Sequence, residues 1–187
     1  MNQVYKKNQK SDVILIFCLL ILAFDVLVFL LAIFGYYFTF IKSTNNILPI
    51  LVTLAAFYAL ARVRKIEKFW VIFLTIIVAL ILGWFSLTNN SYDTINSPTG
   101  NIKVMIGHRN VSLGETNHFY NFYLYSSVPG LMKKVNDEPL FIMSRGGSND
   151  SLEVLGVDNA EWVKDEKIIF DPSSSTNTGL TQVDLKR

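Results

Sequence analysis

The chain has 187 residues, 51% of them hydrophobic, with a formal net charge of +2 and a mean hydropathy of +0.34. A charge balance this close to neutral gives no ground for a nucleic-acid partner, and the single cysteine, Cys18, excludes a disulfide within the chain. The averages conceal two unlike halves: residues 1–87 hold 8 basic and 3 acidic side chains, net +5, whereas residues 88–187 hold 9 and 12, net −3.

A polar stretch, residues 1–12, carries Lys6, Lys7 and Lys10 and precedes three apolar runs at residues 13–41, 47–61 and 69–87. Crossing ~30 Å of hydrocarbon takes about 18 or more helical residues. The third run meets that length outright. The first exceeds it and holds one charge, Asp25, so it is expected to tilt or to project a turn, with Tyr36, Tyr37 and Phe38 at the interface. It is also too long for a signal core and ends in no small-x-small cleavage site, so it is expected to be retained.

The second run is short, and charge decides its status. Arg62, Arg64, Lys65 and Lys68 fill the connection before the third run, whereas only Lys42 borders the first connection. Basic residues flanking spans stay cytoplasmic, so this cluster shares a side with the N-terminus only if the second run crosses. The expected spans are 13–41, 47–63 and 69–87, with Arg62 and Arg64 snorkelling and all four cations near lipid headgroups. That makes a multi-pass cell-membrane protein with a cytoplasmic N-terminus, an extracytoplasmic C-terminal domain and the lipid bilayer as its first partner.

Ser43-Thr44-Asn45-Asn46 and Pro49 predict a tight turn capping the second helix. On that helix Ala55 and Ala59 lie four apart, with Thr53 and Ala56 nearby, a small-residue surface for close helix approach in a compact bundle. Trp70 and Trp84 read as interfacial anchors, and Cys18 as a small apolar packing residue. A cysteine-free outer domain fits the outer face of a Gram-positive bacterial membrane.

Asp25 costs roughly 2.5 to 3.5 kcal/mol to insert, which makes an intramembrane function or a polar partner the default expectation. Helical rise places it about 18 Å from the inner boundary of its span and Thr53 about 15 Å from the inner end of the next, so the two can face each other. Two readings stay open. One is a proton or cation site between the helices; the other is a hydrogen bond that fixes packing or oligomerisation.

Residues 88–96 read as a polar linker and residues 97–187 as a soluble β domain. Ser97-Pro98-Thr99-Gly100-Asn101 is a turn signal, since Pro98 fixes φ and Gly100 tolerates positive φ. Short β-branched and aromatic runs follow at 102–106, 119–125, 140–143, 152–157, 161–163 and 167–170, punctuated by Gly107, Gly114, Pro129-Gly130, Gly146-Gly147 and Gly156. Five or six such strands predict an antiparallel meander curled over one apolar face. Residues 173–179 read as a polar loop, and 180–187 as an edge strand or a frayed end. The run from Phe119 to Tyr125 is apolar on both faces, which implies a central strand covered twice or a patch covered by the membrane or another protein.

Chemistry-bearing patterns are scarce. His108 and His118 flank the Gly114 turn with Glu115 near, but a ten-residue spacing matches no metal-ligand pattern, so no metal is expected. G-x-S-x-G, H-E-x-x-H, P-loop and G-x-G-x-x-G motifs are all missing from the sequence, so no catalytic residue and no cofactor are expected. Asp137-Glu138 and Asp165-Glu166 read as solubilising turn residues.

Two segments, Ser97-Pro98-Thr99-Gly100-Asn101 with Ile102-Lys103-Val104, and Glu161-Trp162-Val163-Lys164-Asp165-Glu166-Lys167-Ile168-Ile169-Phe170, carry a resemblance. They are similar to the S-P-D-G-x and W-x-x-D-x-x-I-x-F signatures of propeller-blade-like modules in uncharacterised small membrane proteins and lipoproteins of bacilli, over roughly residues 97–171. Thr99 stands where that pattern has Asp. The resemblance implies a lone β-meander with Pro98, Gly100 and Trp162 in structural roles, and no activity comes with it. The expected whole is a membrane α + β protein, a three-helix transmembrane bundle followed by a small antiparallel β-meander. It would be non-enzymatic and would present the β domain to an envelope protein or a second copy of itself. The alternatives are a small transport or proton-coupled component using Asp25, and a self-protection (immunity) membrane protein.

Overall fold

A computed structural model describes residues 2–64, 67–87, 90–112, 115–145, 150–172 and 179–185, with backbone alone for 2–11, 68 and 81–87. Lys65, Gly114, Gly146, Gly147, Asn149, residues 88–89, 173–178 and 186–187 lie outside the described residues, as do the side chains of Lys6, Lys7, Lys10, Lys68 and Trp84. The chain divides into two units, residues 1–34 with 40–89, and residues 35–39 with 90–187.

The first unit is helical: α1 (Asn2–Ile33), α2 (Thr39–Ser43), α3 (Ile47–Arg64) and α4 (Lys68–Leu87). Among the described side chains of α1, Ile14, Cys18, Ile21, Asp25, Val28 and Ala32 are withdrawn from the surface at a three-to-four spacing that makes one stripe, which Leu15 and Leu31 widen at either end. That stripe packs on α3, and α3 packs on α4. Cys18 Sγ donates to the Ala56 carbonyl at 3.3 Å, so the small Ala56 permits the close approach. Ala56 and Ala61 are the buried alanines of α3, whereas Ala55 and Ala59, expected on the contact face, are exposed. A helix with small residues around much of its circumference offers several such faces, and spacing alone does not choose among them. Thr44 Oγ1 donates to the Phe40 and Ile41 carbonyls, and Asn45 and Asn46 take positive φ, forming the expected polar turn before α3.

Outward-facing side chains of these helices are large and apolar, among them Phe17, Leu20, Phe29, Ile72 and Leu80. The segments Asp12–Ile33 and Ile47–Arg64 are long and apolar enough to cross a membrane, and only 6% and 11% of their residues are buried. That is not the burial of a soluble protein's core helix. The third expected span falls in α4, whose apolar stretch among the described residues is the shorter Phe69–Leu80.

The first span ends earlier than its sequence indicated. α1 stops at Ile33, Gly35 follows at φ +76°, and Tyr36–Phe38 form a strand, β1, so the helix does not run to residue 41. Those aromatics belong to the second unit. Its other strands are β2 (Ser91–Asn96), β3 (Lys103–Ser112), β4 (Thr116–Tyr125), β5 (Leu131–Lys134), β6 (Leu140–Ser144), β7 (Glu161–Val163), β8 (Lys167–Phe170) and β9 (Thr181–Asp184). All pairings are antiparallel. One sheet runs β1-β5-β4-β3-β2, with β6 also beside β4, and the other runs β7-β8-β9.

β4 is the centre of the larger sheet. It pairs along its length with β3, while β6 takes residues 116–120 and β5 takes 123–125 of its other side. Between those two partners the Asn136 amide substitutes for a strand: its Oδ1 accepts from Phe122 N at 2.8 Å and its Nδ2 donates to the Tyr120 carbonyl at 3.2 Å. Alternate residues of β3 and β4, Val104, Ile106, Tyr120, Phe122 and Leu124, point into a core completed by Val154, Leu155, Ile168, Phe170 and Val183. Phe122 stacks on Phe170 with centroids 5.5 Å apart, joining the two sheets.

Four further expectations are corrected. Residues 88–96 are not merely a linker, since Ser91–Asn96 form the edge strand β2, whose polar character suits an edge. Residues 152–157 are not a strand: Ser151–Leu155 form a short helix, α5, capped by the Asp150 side chain on Leu152 N and by left-handed Gly156, and a 3-10 turn, Val157–Asn159, follows. Residues 131–134, which are not among the expected strands, are β5. The single curled layer is two sheets over a shared core. The terminal segment does add an edge strand, β9, beside β8.

Candidate functional site

The Asp25–Thr53 pair predicted from helical rise is present. Thr53 Oγ1 donates to Asp25 Oδ2 at 2.6 Å, and both residues are partly buried. Asp25 lies on the stripe of α1 that contacts α3, with Ile21 and Val28 one turn to either side, so its carboxylate is held among apolar side chains and satisfied by a hydroxyl. A carboxylate so placed can fix helix register or exchange a proton; the geometry accommodates both.

Arg62 and Arg64 occupy the last turn of α3, exposed, where cations favour the negative end of the helix dipole. Lys68 begins α4. The two quoted motifs meet in the second unit. Ser97 is buried, Pro98 is exposed at the turn, and Gly100 at φ +74° donates its N–H to the Ser97 carbonyl at 2.9 Å. Thr99 Oγ1 donates to Asp165 Oδ2 at 2.6 Å, tying this turn to the β7–β8 turn 66 residues away. Thr99 thus serves as a hydroxyl donor to the Asp165 carboxylate. Trp162 packs against the core as a partly buried residue.

The two histidines separate into different settings. His108 Nε2 is 2.8 Å from Asp93 Oδ2 across the β2–β3 pair. His118 is 0% exposed, with Nδ1 3.0 Å from Ser151 Oγ and Nε2 3.1 Å from Ser144 Oγ, and the hydroxyl of its stacked neighbour Tyr120 donates to the Ser151 carbonyl. A hydrolytic triad needs an open serine and an acid on the second imidazole nitrogen; here both nitrogens meet buried serines. Among the described residues no cluster of three or more His, Cys, Asp or Glu could hold a metal ion. No family model matches the chain, and no match is found among curated proteins or solved structures. The functional reading therefore rests on the residues themselves.

Burial lowers the His118 pKa, His108 lowers it further, and Asp150 opposes both. Because the folded state resists the proton and the unfolded state accepts it near pH 6.5, stability is unaffected above that pH and falls as pH drops below it. The expected slope is at most about 1.4 kcal/mol per pH unit, and His118→Gln, which keeps hydrogen-bonding atoms for both serines, removes that component. Denaturant midpoints of both proteins between pH 8 and pH 5 check this; parallel profiles would refute it.

Residues that the sequence reading did not assemble lie on the second face of the larger sheet. There Met105, Tyr123 and Met132 are buried beneath Tyr37, Tyr92 and Tyr125, with Tyr37 set edge-on to Tyr123 at 5.6 Å. Burial raises the phenols of Tyr123, Tyr92 and Tyr37 above their usual range. Lys103 Nζ lies 5.0 Å over the Tyr125 ring and the Arg109 guanidinium 5.0 Å over Phe119. Strand alternation places these cations among the rings on one face, and a period-two count through residues 103–111 and 117–125 is the signal that would have found the pattern.

Proposed function

We propose that this chain is a non-enzymatic, three-span membrane protein with a cytoplasmic N-terminus, which holds its β unit outside the cell for interaction with an envelope component. The observation that carries this is the pairing of β1 with β5. Strands of one sheet lie on one side of a membrane, so residues 36–38 and 91–184 share a side. The chain between them, which holds α3 and α4, crosses an even number of times. α3 has the length and hydropathy to cross, so α4, 20 residues long, is the return span. Arg62 and Arg64 on the opposite side from the sheet then fit the rule that basic connections stay cytoplasmic. An external protease added to intact cells is expected to remove epitope tags placed after residue 185 and to spare one placed beside Arg64. The reverse pattern sinks the reading.

A second reading, a proton-coupled component, is supported by the Thr53–Asp25 hydrogen bond inside the helical unit. It expects Asp25→Asn, which keeps an acceptor for Thr53 but cannot ionise, to abolish proton uptake by proteoliposomes holding the full chain. Uptake that is absent in the parent protein or unchanged in the variant removes it.

A further inference from the structure

We infer that the second face of the larger sheet is a docking surface for anionic lipid headgroups of the bilayer in which the same chain is inserted, an inference that rests on the membrane reading above. One face of that sheet is consumed by the core shared with β8 and β9. The opposite face ends in half-open and exposed apolar residues, Phe119, Phe141 and Val111, with Phe119 and Phe141 in contact at 5.4 Å between centroids. Aromatic rings with cations poised above them suit a headgroup layer, where rings favour the boundary and cations meet phosphate.

Charge is segregated to match. Residues 88–187 hold 12 acidic side chains, yet the six strands of this sheet hold one, Asp93, registered with Ile106 on the core side and paired with His108. The second face therefore presents Lys103, Arg109 and Lys134, the last also donating to the Asp137 carbonyl at 3.0 Å, with no strand carboxylate among them. A domain of net −3 that keeps one sheet face cationic has a surface complementary to an anionic layer.

Chain length supplies the occupant. Residues 34–35 are all that separates α1 from β1, and residues 88–90 all that separates α4 from β2. β1 and β2 are opposite edges of the sheet. On the membrane reading, connections this short tether the β unit covalently to the bilayer, so an anionic headgroup layer is a surface it always has at hand. A soluble polyanion would have to compete with it.

The test uses the full chain with Cys18→Ser, carrying a single cysteine at Val111, 41% exposed on this face, or at Val163, 39% exposed on β7 of the other sheet. Each is placed in nanodiscs of phosphatidylcholine alone or of an equal mixture with phosphatidylglycerol, and the rate of reaction with a polar maleimide is measured. Lys103 and Arg109, the two cations of the face not held by a backbone carbonyl, are each worth about a fivefold change in occupancy near an anionic surface, so Val111→Cys is expected to react about 25-fold more slowly in the anionic discs. Val163→Cys, on the other sheet, is expected to react equally in both. Adding Lys103→Gln and Arg109→Gln is expected to restore the fast rate. Equal rates at position 111 in both lipids, with the chain retained in the discs, overturn the docking and leave the membrane reading standing. A chain that does not enter discs overturns both. Protection of position 111 by a single-stranded oligonucleotide in both lipids assigns the face to nucleic acid and overturns it as well.

Discussion

Gly156→Ala is expected to lower the thermal midpoint of the β unit by roughly 15 °C, and Gly100→Ala by about 5 °C. Both glycines sit in the left-handed region, at φ +77° and +74°, and an alanine there costs about 1 kcal/mol in either place. They differ in what a side chain would meet. A Cβ at Gly100 has open space around it, whereas a Cβ at Gly156 would collide with the Asp171 carbonyl oxygen and lie 2.9 Å from its carbon. Those are backbone atoms directly after Phe170 of β8, so relief requires moving α5 away from the core strand. Overpacking of this kind adds about 2 kcal/mol. Gly156 N–H also closes α5 through the Leu152 and Glu153 carbonyls, which are left unpaired if the turn shifts. Calorimetry of the two variants checks the difference, and equal shifts would show that the close approach of Asp171 does not exist in solution.

Much of the helical unit was legible because long apolar helices are specified by composition over about 15 to 30 residues, a long-range average that one turn cannot mask. The apposition of Asp25 and Thr53 followed from rise per residue alone, since two antiparallel helices joined by a short connection fix each other's depth. Strands at 119–125, 140–143, 161–163 and 167–170 were legible because short β-branched and aromatic runs there are bounded by glycines and turn residues. What remained hidden has a common cause. Leu152 to Val157 is too short to separate a period of 3.6 from one of 2, and the informative residues were the caps, Asp150 and Gly156, not the apolar run. β1 lies inside an apolar stretch whose residues suit a lipid interface and a sheet equally, and its partner Met132 is 95 positions away. The cationic face required the register of β3 on β4, which fixes Arg109 opposite Phe119 and leaves Asp93 on the other side. Single-sequence periodicity reports which residues share a strand face, not which strands lie side by side.

Tyr37→Pro is expected to detach β1 and to cost the β unit about 3 kcal/mol, while leaving the packing of α1 on α3 unchanged. Lys134 N donates to the Gly35 carbonyl at 2.8 Å and Thr39 N donates to the Gly130 carbonyl at 2.9 Å. In an antiparallel ladder those two bonds make Tyr37 and Met132, register partners, the pair that exchanges both of its hydrogen bonds. Proline removes the Tyr37 donor, strands the Met132 carbonyl beside a fully buried side chain, and takes away the ring set against Tyr123. Tyr37→Leu keeps the backbone bonds and loses only the aromatic contact, so it is expected to cost about 1 kcal/mol. The discriminating measurement is access: in the Cys18→Ser chain, a cysteine at Met132 is expected to stay unreactive toward a polar maleimide in the parent and in Tyr37→Leu, and to become reactive in Tyr37→Pro. A cysteine that remains protected in Tyr37→Pro would mean that β1 does not cover this part of the sheet. The shared side of residues 36–38 and the β unit, from which the three crossings were counted, would then have no support.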